Sequence, residues 1–333
     1  MVLDSESKKW LADHYGAGIK FDEPMSKHTS LRVGGPAEAY FVPGNIEALK
    51  SLINWAWQKD LPYLIIGDGT NLLVKDSGIK GIVIALTKCL QAITKTDNQK
   101  EEVVVTAMAG VRMQALCRFA LEHGLAGLNF ALGIPGTVGG GIMMNAGTAG
   151  GRIENVLKAV TVLLPNGQIQ EITRDRLKFS YRNLTLNMEL NQEFQAHPVI
   201  IDGSFCLHPT DPVKLKAEAK KILEIRMQRQ PVGYPSAGCF FKNPPNGKTA
   251  GQMIDLTGLK GKAIGGAEVS SKHANFFVNT GQATAADFLA LMELVNTGQA
   301  TAADFLALME LVHATVLKRF NIDLESEVKI VGT

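Results

Sequence analysis

The sequence has little of what several protein classes require. Its four cysteines, Cys89, Cys117, Cys206 and Cys239, lie far apart and form neither a CxxC nor a disulfide-like spacing, which fits a reducing compartment. No metal site is expected. Charge is nearly balanced, with 34 Lys and Arg against 32 Asp and Glu, so there is no nucleic-acid footprint. The opening MVLDSESKKW lacks the apolar core of a signal peptide, and a soluble cytoplasmic protein is expected. No glycine run is followed by GK[ST], so the Walker A loop is absent. A dinucleotide fingerprint is missing too. The loop Gly67 to Leu73 has Leu72 where GxGxxG needs glycine, and Asp76, Gly78 and Gly81 interrupt the helix that should follow.

Charge itself is missing from one long stretch. His123 to Gly151 holds no Asp, Glu, Lys or Arg. A membrane span needs about 20 mostly apolar residues, but this run contains Asn129, Pro135, Asn145 and closely spaced glycines. Each glycine inside a helix costs about 1 kcal/mol relative to alanine, and a proline about 3. The run is therefore irregular buried backbone, and its centre reads GIPGTVGGGIMMNAGTAGG from Gly133 to Gly151. Such backbone suits two purposes. It is a cradle of N–H groups for an anionic, phosphate-bearing ligand, or a set of tight turns packed in a core.

What remains is ordinary globular sequence, and 333 residues suggest two or more domains. Residues 1–27 read as an amphipathic lead-in. Asn45 is a plausible N-cap for a helix carrying Ile46, Leu49, Leu52, Ile53 and Ala56, which should stop near Asp60 before Pro62. A buried strand, Tyr63 to Ile66, runs straight into GDGTNLLV, and Gly81 to Leu86 reads as more strand. Glu101 to Ala107 is a strand, followed by a helix with Met113, Leu116, Cys117, Ala120 and Leu121 on one face. Pro165-Asn166-Gly167 marks a hairpin, Ser180 to Asn183 a polar knot, and Pro198 to Ile201 a buried strand. An amphipathic helix from Lys214 to Gln230 takes much of its apolar content from Ala219, Ile222, Leu223, Ile225 and Met227. HPTDP near 207–213 sets the expected boundary between a domain at 28–207 and another at 208–333.

NTGQATAADFLALMELV occurs twice without change, at 279–295 and 296–312. Two copies are too few for a solenoid. A recent tandem duplication, or a repeat present only in the recorded chain, fits better. Thr284 and Thr301 are expected N-caps, with Asp287 and Asp304 at a capping-box-like spacing. One copy should pack, and the other should be a surface excursion.

In order along the chain, GDGTNLLV, GIPGTVGG with Asn145, FSYR, GCFFKNP, KHANFFVN and LESEVKIVG resemble the motifs of the UDP-N-acetylenolpyruvoylglucosamine reductase family, from His28 to Gly332. The resemblance implies an α+β fold: an FAD-binding region of the vanillyl-alcohol-oxidase (PCMH) type, then a smaller α+β substrate domain. The short link between Arg182 and Pro198 resembles the compact subtype, which lacks an extra tyrosine-bearing loop. The implied activity is NADPH-dependent, FAD-mediated reduction of the enolpyruvyl double bond of a UDP-N-acetylglucosamine enolpyruvate, in peptidoglycan synthesis. A monomer with no membrane partner is expected.

The resemblance assigns roles residue by residue. Arg182 would hold and polarise the substrate carboxylate, Cys239 would donate a proton, and Glu327 would align the reacting group, with Glu325 on the same strand face. Most relatives carry serine where this chain has Cys239. Gly67, Asp68, Gly69, Thr70, Asn71, Leu72, Pro135, Gly136, Thr137, Gly139, Gly140 and Asn145 would bind the cofactor. Tyr181, Arg229, Lys242, Asn243 and His273 would face the substrate. Two other readings stand beside this one: a sugar or alcohol oxidase on the same scaffold, and a nucleotide-binding protein without turnover.

Overall fold

The helix Ile46–Gln58 begins where the sequence places it, because Asn45 Oδ1 accepts the N–H of Ala48 at 2.9 Å. The structure, a computed structural model, describes residues 3–97, 102–186, 198–245, 247–281, 283–297, 322 and 324–332. The chain divides into two compact units. The first takes Met1–Glu23, Ala37–Asp68 and Lys80–Arg226, and the second takes Pro24–Pro36, Gly69–Ile79 and Met227–Thr333.

Two sheets frame the first unit. One has the strand order Ile19–Pro24, Pro36–Phe41, Ile79–Ala85, Tyr63–Ile66, the last two paired in parallel with Tyr63 opposite Ile82. The expected lead-in supplies a helix, Ser5–Tyr15, whose Trp10 stacks on Trp55 with ring centroids 4.1 Å apart. The other sheet is antiparallel, in the order Ile169–Thr173, Leu157–Leu163, Val199–Pro209, Val103–Met108, Ile93–Asp97. Val103, Val105 and Ala107 are buried while their neighbours are less so, the period-2 pattern of a strand with one packed face. Leu157–Leu163 and Ile169–Thr173 form the expected hairpin, with Gly167 at φ +84° in its turn.

The helix at the end of this unit runs Pro212–Arg229, close to the expected Lys214–Gln230; of the residues expected to supply much of its apolar content only Ala219 is buried, joined by Leu215. Leu223, Ile225 and Met227 are exposed. Helical spacing explains this, since 215, 219, 222 and 226 share one face and 223, 225 and 227 point off it.

The second unit has its own core. Phe240, Phe241, Phe277, Phe288 and Leu291 are fully enclosed within it. Its sheet runs Ser236–Cys239, Phe276–Asn279, Ala267–Val269, Ala263–Ile264, all antiparallel. The segment read as a glycine loop, GDGTNLLV, contributes a short strand here: Leu72–Val74 pairs in parallel with Lys329–Val331 near the chain's end.

The first copy of the repeat is built into this unit. Its helix, Ala285–Thr297, runs two residues into the second copy and opens with the expected capping box: Thr284 Oγ1 accepts the N–H of Asp287, and the Asp287 carboxylate accepts that of Thr284 at 2.8 Å. A second cap comes from far away in sequence. The Asp76 carboxylate accepts the N–H groups of Ala285 and Ala286 at 2.9 and 2.8 Å. Phe288 stacks against Phe240. The second copy's Thr301 and Asp304 lie outside the described residues, as do 187–197, on which the compact-subtype reading rests. No described helix is long and apolar enough to cross a membrane.

Candidate cofactor cradle and substrate-side cluster

The charge-free run resolves into a short helix and its approach. Thr137 is the N-cap of Val138–Met143, and its hydroxyl accepts the N–H of Gly140 at 3.4 Å. The glycines serve different ends. A Cβ on Gly139 would stand 2.9 Å from Ala109 Cβ, and its N–H donates to the Ala109 carbonyl at 3.0 Å, so this glycine is needed for close packing. Gly140 is exposed, and a Cβ there would meet only Thr137 Oγ1, at 3.6 Å. Beside it lie exposed Pro135 and half-buried Gly136, the latter at φ +102°. Along this strip of backbone Pro135 and Gly140 are exposed, Gly136 and Gly139 half-buried and Thr137 buried.

Gly67 and Asp68 adjoin this strip in the same unit. A Cβ on Gly67 would run into the Thr137 side chain, so the two turns touch. The strip and this turn bring together Gly67, Asp68, Pro135, Gly136, Thr137, Gly139 and Gly140 of the expected cofactor set. The rest of the loop belongs to the second unit. There Gly69, at φ +61°, presses against the His28 carbonyl, while Thr70 and Asn71 are half-buried and Leu72 is buried in a strand.

Arg182 sits at the tip of a hairpin rather than in a knot. Leu177–Ser180 pairs with Asn183–Leu186, and Ser180 faces Asn183 across a two-residue turn. Arg182 has φ +59°, a left-handed conformation that costs a residue with a Cβ roughly 1–2 kcal/mol. Strain of this kind is typical of functional positions. Its guanidinium lies 5.3 Å from the Tyr181 ring centroid, and Nη1 donates to the Gly147 carbonyl at 3.3 Å. Asn145, buried and at φ +41°, ties the hairpin to the cradle: its Nδ2 donates to the Ser180 carbonyl at 3.3 Å, and its Oδ1 accepts the N–H of Glu154. Tyr181 is exposed.

The second unit carries the remaining candidates, Cys239 on one of its strands and the others on neighbouring segments. Ser236–Cys239 breaks register against Phe276–Asn279, and Gly238 at φ +81° sits in the break, as in a bulge that re-aims the next side chain. That side chain is Cys239, which is half-buried. The C-terminal segment lies antiparallel along the following residues: Lys242 N–H donates to the Glu325 carbonyl at 2.9 Å, and Glu327 N–H to the Phe240 carbonyl at 2.8 Å. Asn71 Nδ2 donates to the Glu327 carbonyl at 3.3 Å. Asn71, Cys239 and Glu327 are thus held on adjacent backbones.

The two glutamates differ. Glu325 is exposed, and its Oε2 stands 2.7 Å from Lys242 Nζ, a hydrogen bond that holds its carboxyl below the usual range. Glu327 is half-buried. Asn243 is exposed and its Oδ1 accepts the N–H of Ala250, while Arg229 is exposed at a helix end. His273 is half-buried against Phe276, and burial lowers its pKa. Its Nδ1 accepts the N–H of Asn275 at 3.2 Å, which assigns the neutral ring with its proton on Nε2.

Sequence reading passed over Asn275. It is buried, and its amide pairs with Phe241 in both directions: Oδ1 accepts the Phe241 N–H at 2.9 Å, and Nδ2 donates to the Phe241 carbonyl at 2.8 Å. Its own carbonyl accepts the N–H of Phe240. The chain between Cys239 and Lys242 is thus held on its Phe241 side by this side chain. The available signal was an amide inside the apolar run ANFFV, since a buried amide requires partners. Among the described residues no cluster of His, Cys, Asp or Glu could hold a metal.

A unit built on a glycine cradle and joined to a second unit with its own sheet defines an FAD-binding protein with an appended domain, and residues 37–173 match the family described as FAD binding domain. Residues 230–295 and 293–331 match the UDP-N-acetylenolpyruvoylglucosamine reductase, C-terminal domain, so each repeat copy falls in its own matched stretch. A UDP-N-acetylenolpyruvoylglucosamine reductase of Desulfosudis oleivorans is 42% identical over 99% of this chain and 100% of its own. One of Pelobacter propionicus is also 42% identical, over 93% of this chain and 95% of its own. The crystal structure of UDP-N-acetylenolpyruvylglucosamine reductase from Thermus caldophilus has a TM-score of 0.70 at 31% identity, covering 93% of this chain and 97% of that one. The chain belongs to the UDP-N-acetylenolpyruvoylglucosamine reductase family, and its α+β fold with an FAD-binding region is the one expected.

Proposed function

We propose that the protein reduces the enolpyruvyl double bond of UDP-N-acetylglucosamine enolpyruvate to give UDP-N-acetylmuramate for peptidoglycan, with FAD as cofactor and NADPH as co-substrate. The observation that carries this reading is the whole-length match to reductases of that name, which spans both the cradle and the segments bearing Cys239 and Glu327. We further place it in the cytoplasm as a monomer, with 28–207 serving the cofactor and 208–333 the substrate, after the 1–27 lead-in.

Bound FAD supplies two-electron hydride chemistry between NADPH and the substrate. The chain's own residues do the rest. Gly67, Gly69, Thr70, Asn71, Gly136, Thr137 and Gly140 offer backbone to the cofactor's diphosphate, and Gly139 brings that backbone close. Asp68, Leu72, Pro135 and Asn145 shape the same loop and turn. Arg182 forks onto the substrate carboxylate, whose charge grows when the double bond is reduced. A strained hairpin tip lets it do so without rearranging a packed element.

Cys239 donates the proton that the substrate carbon needs. A thiol carries a transferable proton and is a stronger acid than the serine hydroxyl of most relatives. Glu327 aligns the reacting group. Lys242, Asn243 and Arg229 hold the uridine diphosphate; Lys242 brings a charge shared with Glu325, and Asn243 brings directional hydrogen bonding. Tyr181 and His273 line the substrate side.

The test is anaerobic. NADPH should bleach the flavin of the purified protein, and the enolpyruvyl substrate should restore its colour. A protein that takes up no FAD on titration would sink the reading.

A further inference from the structure

The segments that form the cradle carry no positive charge. Neither GDGTNLLV nor the run from His123 to Gly151 contains Lys or Arg, and the one ionised side chain among them is the acidic Asp68. If those segments bind a diphosphate, as the proposed function requires, they bring a repulsive charge to it. The compensating group lies next to the turn.

Arg112 is fixed there by its backbone. It forms an isolated antiparallel bridge with Thr137. The residues on either side of it complete the attachment: Met113 N–H donates to the Gly136 carbonyl at 2.9 Å, and the Val111 carbonyl accepts the Val138 N–H at 2.8 Å. On the other side of Thr137 lies Gly67, packed against its side chain. Arg112 and Asp68 therefore flank one turn. Arg112 Nε stands 3.5 Å from Asp68 Oδ2, with the Arg112 side chain 74% exposed and that of Asp68 22%. With the Arg112 side chain this exposed, the pair adds little to the stability of the fold, and a guanidinium has five N–H donors, of which this contact engages one.

We propose that Arg112 is a further cofactor-binding residue: it neutralises Asp68 at the mouth of the cradle and presents its remaining donors to the diphosphate of the flavin nucleotide. The inference rests on the FAD reading and adds to it the source of positive charge. Arginine suits the task, because it stays charged and its planar fork meets phosphate oxygens two at a time.

The experiment measures equilibrium binding to protein stripped of flavin, using three ligands: FAD, ADP (a diphosphate without a flavin ring) and riboflavin (a flavin ring without phosphate). Wild-type protein that fails to bind FAD overturns the functional reading, and this inference with it. Given wild-type binding, Arg112→Ala should weaken FAD and ADP by about tenfold or more, as loss of one charge at contact distance near a surface implies, and leave riboflavin unchanged. The loss should shrink as salt is raised. Arg112→Lys should retain much of the affinity, and Asp68→Asn added to Arg112→Ala should recover part of it. Should the alanine variant fail to fold, Arg112→Gln, of similar length but uncharged, must show the same pattern. FAD affinity within twofold of wild type in the uncharged variants overturns the inference. So does equal weakening of riboflavin, which would mark a packing role.

Discussion

Glu327 donates its backbone N–H to the Phe240 carbonyl at 2.8 Å, which lays the C-terminal segment beside the residues that follow the Cys239 bulge. The two side chains proposed to finish the reduction are thus set by main-chain hydrogen bonds between residues far apart in sequence. Because the backbone does the positioning, side-chain substitutions here should act on chemistry more than on folding.

Cys239→Ala is expected to leave flavin reduction by NADPH nearly intact and to slow the half-reaction with the enolpyruvyl substrate by roughly 10²–10⁴, the usual contribution of a general acid. Cys239→Ser should restore much of the lost rate. Stopped-flow measurement of the two half-reactions checks this. Equal slowing of both would point to a packing defect.

Asn275→Ala removes two hydrogen bonds from the Phe241 backbone, which leaves a buried N–H and carbonyl without this partner. Each orphaned group costs about 1–3 kcal/mol. Thermal unfolding should show a marked loss, and any folded fraction should turn over slowly with substrate while still binding FAD. Unchanged stability would mean that the strand is held by something else.

Phe288→Ala should cost about 3–5 kcal/mol, because the ring is fully enclosed beside Phe240. The same change at Phe305, its counterpart in the second copy, is expected to cost far less, since Phe288 fills the slot. Deleting 279–295 and deleting 296–312 produce the same chain, because the copies are identical. That chain should keep FAD binding and turnover and gain solubility. Loss of folding or activity would show that both copies are needed. An intact mass on the parent protein, lighter by one copy or not, should be taken first.

His273 gives a pH dependence with a definite sign. Burial lowers its folded pKa below the ordinary 6.5, so the unfolded chain binds the proton more readily. Its contribution to stability is therefore fully present above about 6.5, and it is lost as pH falls through the lower folded value. Unfolding in denaturant across this window should show the drop in wild type and a smaller one in His273→Gln. A drop of the same size in the variant would assign it to other groups.

What the sequence made legible was local. The Asn45 cap, the Asn166-Gly167 hairpin and the Thr284–Asp287 capping box each depend on residues within four positions of one another, and each is present. What it hid was long-range. Nothing near Leu72–Val74 announces that it pairs with Lys329–Val331, and nothing near Asp76 announces that it caps the helix at Ala285. The site divides the same way. Motifs named Arg182, Cys239 and Glu327, but the left-handed backbone of Arg182 and the clamp of Asn275 on Phe241 depend on tertiary packing, which a linear pattern does not encode.

The most direct test of the central claim is an anaerobic two-step experiment on the purified protein. FAD absorbance is followed first on adding NADPH and then on adding UDP-N-acetylglucosamine enolpyruvate. The account predicts that NADPH bleaches the bound flavin and that the substrate alone, without oxygen, returns it to the oxidised form, with UDP-N-acetylmuramate as product. Flavin that is reduced by NADPH but reoxidised only by oxygen, with the substrate left unchanged, would contradict it.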